Sequence, residues 1–332
     1  MKQKIGWGIL GCGRIAGKFA EDLKLVPDAE LVAVGSREQQ NADAFCQKYP
    51  ARFSHGSYEA LVQNPEVDVI YVASPHALHH EHTLLCLRHG KHVLCEKAFA
   101  INLAQAREMV QLAQEKGLFL MEALWTKFMP HYRKLREMIA AGELGTIQNV
   151  LVNFGFKPEP PIPKRLLDPT LGGGTILDIG IYNVFIAMAV LGKPDEIDAS
   201  MTPADTGIDL QCAVTFRYRN GALAQLFSTF SSNLAIEADI SGDKGRIRLT
   251  TRFYEPSTQI EFYPGRVDSR TIIPVEKNPG WGYHYEIVHV NECLRKGLRE
   301  SPVMSHADTL ELMEVLDQIR SKAGIIYPAD QT

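Results

Sequence analysis

One stretch near the start of the chain constrains its fold more than any other. Ile5-Gly-Trp-Gly-Ile-Leu10 is a short apolar run that breaks into Gly11-Cys-Gly13-Arg-Ile-Ala16-Gly17. An amphipathic segment carrying Phe19, Ala20 and Leu23 follows. The order is strand, tight turn, helix. Gly11-x-Gly13-x-x-Ala16 is the dinucleotide-binding form of such a turn. Gly11 permits the sharp turn, Gly13 lets the backbone approach a pyrophosphate, and Ala16 keeps helix and strand close. Unpaired N–H groups and the helix dipole then favour an anion at the helix start. The same turn also serves α/β proteins that bind nothing there.

Further strand and helix patterns alternate behind it. Strands are expected at 4–10, 30–35, 51–54, 67–73, 91–95 and 118–121, and helices at 14–25, 38–49, 57–63, 77–89 and 102–116. Several strands are continuous apolar runs, as in a parallel sheet covered on both faces. Asn102 reads as an N-cap, Gly90 and Gly117 as helix stops. The pattern predicts a Rossmann-type doubly wound parallel sheet, with ligands at the C-terminal strand ends.

At 332 residues the chain is too long for one ordinary core. The rhythm changes after about residue 122, which predicts a Rossmann domain over 1–122 and an α+β domain over 123–332. The second domain begins with a helix at 129–141, a strand at 147–156, a proline-rich loop at 158–163 and a helix at 175–191. Strands at 208–219 and 222–231 meet at Asn220-Gly221, read as a type I′ hairpin turn. More strands are expected at 234–241, 245–252, 258–263 and 270–275, and closing helices at 282–297 and 306–322. These strands form a large, mostly antiparallel open-faced sheet. One face needs covering, and a second copy of the chain is the expected cover.

Composition narrows the function classes. The net charge of −4 and the lack of any Lys/Arg block give no electrostatic support for nucleic acid or an anionic membrane. Met1-Lys-Gln-Lys4 leads directly into the first strand with no signal-peptide pattern, and no apolar run is read as approaching the roughly 18 residues of a membrane span. The six cysteines lack paired spacing and read as reduced thiols, so a cytoplasmic location is expected.

Candidate chemistry gathers at strand ends. Where an NAD site places a carboxylate, roughly 20 residues past the glycines, this chain has Ser36-Arg37. A hydroxyl and a guanidinium suit a 2′-phosphate, so NADP is favoured and NAD remains open. Ser74-Pro75 with His76 and His79, at the mouth of the fourth strand, are candidate cofactor contacts, alongside Gly11, Gly13, Arg14 and Ile15. His76 and His80 have zinc-compatible spacing, but no companion ligand pattern supports a metal. Glu96-Lys97 closes the fifth strand. A partly desolvated ammonium there can stabilise an alkoxide, and Glu96 can hold it or meet the nicotinamide ribose. Asp178 and Tyr182 stand four apart in an otherwise apolar helix. They suit a catalytic pair, and equally a first-turn Asp with a core Tyr.

Taken together, Gly-Ile-Leu-Gly-Cys-Gly-Arg-Ile-Ala16, Val-Leu-Cys-Glu-Lys97, Leu118-Phe-Leu-Met-Glu-Ala-Leu-Trp-Thr-Lys-Phe128, Gly172-Gly-Gly…Asp178-Ile-Gly-Ile-Tyr182 and Glu292-Cys-Leu-Arg-Lys-Gly-Leu-Arg-Glu-Ser-Pro302 resemble the Gfo/Idh/MocA oxidoreductase family. The resemblance runs over essentially the whole chain. It implies hydride transfer between NADP and a hydroxyl-bearing carbon of a sugar or a trans-dihydrodiol, and dimerisation through the C-terminal sheet. It also implies that Lys97 is catalytic, that Tyr182 is the acid/base and that Asp178 completes the site. Trp125 and Phe154 match aromatic positions that line the substrate pocket in the dihydrodiol-oxidising branch. Ala98 stands where the family signature has Pro, a departure in the backbone behind Lys97. The alternatives are an inositol or other sugar dehydrogenase of the family, a redox-neutral relative with tightly held NAD, and a non-catalytic cofactor-sensing regulator.

Overall fold

The computed structural model describes residues 3–265 and 269–331. Met1 and Lys2, the head of the N-terminal run, lie outside the described residues. The first half alternates as expected: β1 (Ile5–Leu10), α1 (Arg14–Leu23), β2 (Ala29–Gly35), α2 (Gln39–Lys48), β3 (Phe53–His55), α3 (Tyr58–Gln63), β4 (Val69–Val72), α4 (His79–Arg88), β5 (His92–Glu96), α5 (Leu103–Lys116) and β6 (Leu120–Ala123). The strands pair in parallel in the order β3-β2-β1-β4-β5-β6. Strand order reverses between β1 and β4, which opens a crevice at their C-terminal ends. All of β4 is buried, as the unbroken apolar run Val69-Ile-Tyr-Val72 demands. The Asn102 side chain caps α5 by accepting from Gln105 N, and Gly117 ends it at φ 64°.

The second half holds α6 (Pro130–Ala140), β7 (Ile147–Gly155), α7 (Lys164–Leu167) and a π-helical turn, Ile176–Gly180, that runs into α8 (Ile181–Leu191). Then come β8 (Glu196–Pro203), β9 (Asp209–Arg217), β10 (Leu223–Thr229), β11 (Glu237–Gly242), β12 (Gly245–Thr250), β13 (Gln259–Pro264), β14 (Thr271–Ile273), α9 (His284–Arg295) and α10 (His306–Ala323). These eight strands form one sheet, β14-β13-β12-β11-β7-β10-β9-β8, antiparallel except where β7 meets β10. Val150, Val152, Phe154, Ala224, Leu226, Val214 and Phe216 face inward, and α8 packs on β7 and β10. Leu151 and Leu223 lie on the opposite, open face, 43% and 41% exposed. That face carries a depression of about 490 Å³ lined by Leu151, Asn153, Ser200, Thr215, Gln225 and Phe227 among others.

Several expectations need correction. β8 has no counterpart among the expected strands; its outward residues are polar and only Ile197 is buried, so it lacks a strong apolar pattern. The β9–β10 connection is not type I′, because Gly221 has φ 87° while Asn220 does not adopt a positive φ. Gly221 N donates to Tyr218 O, and Asn220 Oδ1 accepts from Ala222 N: a type I turn followed by a left-handed glycine. The segment Pro169–Leu191 is, by length and composition, apolar enough to cross a membrane, with mean hydropathy 1.8. In the fold 72% of that window is buried.

The compact units also differ from the expected boundary. One comprises Met1–Phe128 with Asn278–Leu310, the other Met129–Lys277 with Glu311–Thr332. Asp22 of α1 shows why residues 278–310 join the first unit. Its buried carboxylate accepts from the backbone N–H groups of Trp281 (2.8 Å), Gly282 (2.7 Å) and His284 (3.3 Å). Asn291 of α9 likewise accepts from Trp7 Nε1 at 3.1 Å. Polar pairs over such sequence distances leave no local pattern.

Candidate active site

The β1–α1 turn is built as its glycines require. Gly11 has φ 99°, and a Cβ there would lie 3.0 Å from Ala73 O. Gly13, at φ −81°, has open space where a Cβ would stand, so its side chain is missing for something outside the fold. Gly13 begins α1, which has no side-chain cap and no acidic residue in its first turn. An anion is the natural complement to that helix end. The turn opens on a cavity of about 710 Å³, lined by Gly11, Gly13, Arg14, Ser36, Arg37, Ser74 and Pro75 among others.

Sequence reasoning missed other residues here: Asn41, Lys48, Tyr49 and Tyr58 also line the cavity, together with Glu38, whose Oε2 accepts from Asn41 at 3.1 Å. They come from α2, from the residues that flank it and from α3, and nothing in the motif marks them. His82, with Nδ1 2.9 Å from Ser74 Oγ and its ring edge-on to Tyr58, lies behind the wall. Burial and the nearby Arg37 guanidinium push it down to about 4, so it is neutral at physiological pH. The donor set fits a phosphorylated dinucleotide: an open helix N-terminus, a hydroxyl and three cationic side chains against one carboxylate.

Not every predicted cofactor residue faces this cavity. Ile15 and His76 are partly exposed but are not among its lining residues. His79 is fully buried, and its ring nitrogens lie 2.7 Å from Ala98 O and 2.8 Å from Ser74 O. Both nitrogens face backbone carbonyl oxygens, to one of which the neutral ring donates, so His79 braces two strand ends and does not line this cavity. Burial pushes it down to about 4.

Lys97 follows directly on β5, and the Lys97–Ala98 peptide is cis. Glu96 accepts from Lys97 N at 3.2 Å and from the Tyr71 hydroxyl. Acidic groups gather behind it. Burial, with Glu96 and Asp22 nearby, raises fully buried Glu286 well above the carboxylate range. Burial lifts Glu122 to about 7 against the pull of the Thr309 hydroxyl and the Phe99 N–H. Trp125 stacks on Tyr283 at 4.7 Å between ring centres.

The other unit carries its own cluster. Asp178 sits in the π-helical turn and Tyr182 in the first turn of α8, both buried, so the pair is not on a regular α-helical face as the spacing suggested. Arg165 of α7, unforeseen from sequence, pairs with Asp178 Oδ1 at 3.1 Å. Phe154 of β7 lies 6.1 Å from Tyr182, ring centre to ring centre. Tyr254 completes the aromatic group, 4.6 Å from Phe154 and 4.8 Å from Tyr182. Burial, with Glu255 adding to it, pushes the Tyr254 phenol up, so it remains a neutral donor. Among the described residues no group of three or more His, Cys, Asp or Glu could hold a metal.

Comparison with known proteins identifies the family. Residues 5–124 match the model of an oxidoreductase family with an NAD-binding Rossmann fold, GFO/IDH/MocA, and residues 132–248 match the GFO/IDH/MocA C-terminal domain. The chain is 36% identical over 330 residues to a trans-1,2-dihydrobenzene-1,2-diol dehydrogenase of Xenopus laevis, covering 97% of this chain and 99% of that protein. Among solved structures, a 3-ketoreductase from Actinomadura kijaniata in complex with NADP and TDP-benzene superposes with TM-score 0.88 at 27% identity, over 96% of this chain and 98% of that one. Variants of that reductase with a lysine or a tyrosine replaced were solved with the same two ligands. An aldose-aldose oxidoreductase from Caulobacter crescentus, complexed with glycerol, gives TM-score 0.87 at 25% identity, over 97% and 98%.

Proposed function

The chain belongs to the GFO/IDH/MocA oxidoreductase family, and on that premise we propose that Lys97, Asp178 and Tyr182 are the catalytic groups of an NADP-dependent dehydrogenase. It is an oxidoreductase acting on CH–OH groups of a sugar or trans-dihydrodiol. The observation that carries the catalytic assignment is Tyr182 itself: a buried phenol beside an aromatic wall, in the helix that follows the turn holding the Arg165–Asp178 pair.

Tyr254, partly exposed and stacked on Phe154, offers a flat face for an aromatic diol or for the apolar face of a pyranose. Asp178, fixed by Arg165, is an acceptor for a substrate hydroxyl. When bound, NADP⁺ supplies the hydride acceptor. Tyr182 takes the proton of the reacting hydroxyl, whose O–H bond breaks as the C–H bond of the same carbon gives up its hydride and the carbon becomes a carbonyl. A free phenol titrates near roughly 10, so it serves as a base at neutral pH only with help from a cation, the role assigned to Lys97. Gly11, Gly13, Arg14, Ser36, Arg37, Ser74 and Pro75 hold the dinucleotide. Two lesser proposals accompany this. The open face of the eight-stranded sheet, with Leu151 and Leu223 exposed, joins two copies of the chain; a monomer by light scattering at micromolar concentration would sink that. The six free thiols support work in the cytoplasm.

The test is NADP⁺ reduction, followed at 340 nm, across aldoses, inositols and trans-dihydrodiols. Turnover with an aldose or a trans-dihydrodiol is expected, and turnover with inositols alone would move the assignment within the family. Silence on every substrate, with NADP⁺ still bound, would make the chain a cofactor-sensing regulator.

A further inference from the structure

The π-helical turn that carries Asp178 and leads into Tyr182 of α8 has no cap of its own. Thr175 precedes it, and no side chain of the turn caps its N-terminus. The missing acceptor comes from β9. Asp209, 0% exposed, accepts with one carboxylate oxygen, Oδ2, from Thr175 Oγ1 at 2.6 Å and from Ile176 N at 2.7 Å. Ser228 Oγ of β10 donates to Thr175 Oγ1 at 2.9 Å, so two neighbouring strands grip one point of the turn. Gly174 has φ 109°, and a Cβ there would lie 2.2 Å from Asp209 Oδ1. Just before it, Gly173 O accepts from the Tyr327 hydroxyl at 2.6 Å.

We propose that Asp209 is a positioning residue for the dehydrogenase reaction, its buried carboxylate holding residues 174–180 in the shape that presents Asp178 and Tyr182. The inference rests on the catalytic assignment above. A buried carboxylate is a costly way to cap a turn that a serine caps elsewhere, as Ser57 does for α3. Its charge strengthens both hydrogen bonds. The second oxygen, Oδ1, has no hydrogen-bond partner among the described residues. It is the natural place for a proton, and a proton there weakens Oδ2 as an acceptor.

The groups facing Asp209 do not compete for that proton. Thr175 and Ile176 come from the turn, Cys212 from its own strand, and Tyr327 from the C-terminal segment. Burial pushes the Cys212 thiol to about 12 and the Tyr327 phenol well up, so both stay neutral. The Arg320 guanidinium lies 5.2 Å from the Tyr327 ring centre and is engaged by Asp317 and Asp330. Burial lifts Asp209 itself to about 6. The turn is therefore held firmly above that pH and loosely below it.

Asp209→Asn and Asp209→Ala test this in the full-length protein, with kcat against pH and with amide hydrogen exchange of residues 173–182. Asparagine keeps an oxygen for both bonds. It is expected to retain kcat within a few-fold at pH 8 and to lose the activity inflection near pH 6 expected in the parent. Alanine is expected to lower kcat about tenfold or more, the loss of charge-assisted hydrogen bonds, while NADP⁺ affinity stays within about twofold. Exchange at Ile176 N–H should accelerate by about tenfold in the alanine variant. It should speed up below pH 6 in the parent, beyond the intrinsic rate, but not in the asparagine variant. An unchanged acid inflection in Asp209→Asn, or parent-like kcat and exchange in Asp209→Ala, overturns the proposal. If Asp209→Ala does not fold, the asparagine profile and parent exchange decide alone. A parent without dehydrogenase activity overturns the catalytic reading instead, and the exchange data then still report whether Asp209 anchors the turn.

Discussion

Replacing Gly13 by alanine separates what the β1–α1 turn does for the fold from what it does for a ligand. The residue sits at φ −81° and ψ −179°, a conformation open to any L-residue, and no atom lies within 4 Å of the new Cβ. The cost to folding is confined to the poorer N-cap, about 0.5–1 kcal/mol. For a chain of this size that lowers Tm by roughly 2–4 °C at most. A pyrophosphate held against this turn would have to make room for the same methyl group. Overpacking of that kind costs about 1–3 kcal/mol, a loss of roughly 5- to 150-fold in Kd. Gly11→Ala is the contrasting variant. Its φ of 99° and the Ala73 carbonyl at 3.0 Å place strain in the protein itself, so stability falls together with affinity. Isothermal titration with NADP⁺ and thermal unfolding of the free protein read the two effects. If Gly13→Ala binds NADP⁺ as tightly as the parent, the turn does not hold the pyrophosphate and the reasoning fails.

Arg37→Ala removes an exposed guanidinium from the cavity wall. NADP⁺ should bind about 10- to 100-fold more weakly, while NAD⁺, which lacks the 2′-phosphate, changes by no more than about twofold; an equal loss for both cofactors on titration contradicts the assignment. Glu122→Gln tests a buried acid. Its carboxyl is held at about 7 instead of 4.5, linked to about 3 kcal/mol. The raised value means the unfolded chain releases this proton first, so the parent loses stability as pH rises from 4.5 to about 7 and no further beyond. Glutamine removes that slope, and the variant should gain on the parent through that window in urea unfolding; parallel curves refute it.

How much was legible depended on the range of the interaction. The parallel sheet announced itself because Val69-Ile-Tyr-Val72 and its neighbours are apolar throughout, and the turn because positive φ at Gly11 leaves few other residues possible. Asn102 and Gly117 were readable for the same local reason. β8 was not, since a polar edge strand carries little periodic signal. Nor was the grouping of residues 278–310 with the first unit, which depends on Asp22 reaching backbone N–H groups far along the chain. Among the candidate residues, Asp178 and Tyr182 stood out as polar groups in an otherwise apolar helix, and Lys97 as an ammonium at the C-terminal end of a strand. Arg165, Asp209 and Tyr254 did not, because each matters through a partner that only the fold supplies. His79 shows the converse: a histidine at the right strand end that is fully buried, its ring nitrogens turned toward backbone carbonyls.

The central claim is that Tyr182 and Lys97 perform the proton chemistry on a substrate hydroxyl while other residues hold the cofactor. Steady-state kinetics of Tyr182→Phe and Lys97→Met on the best substrate, with NADP⁺ affinity measured in parallel, test it most directly. General acid–base groups contribute about 10²- to 10⁴-fold, so kcat should fall by that amount in each variant while Kd for NADP⁺ stays within a few-fold. Near-parental kcat in either variant would remove that residue from the mechanism.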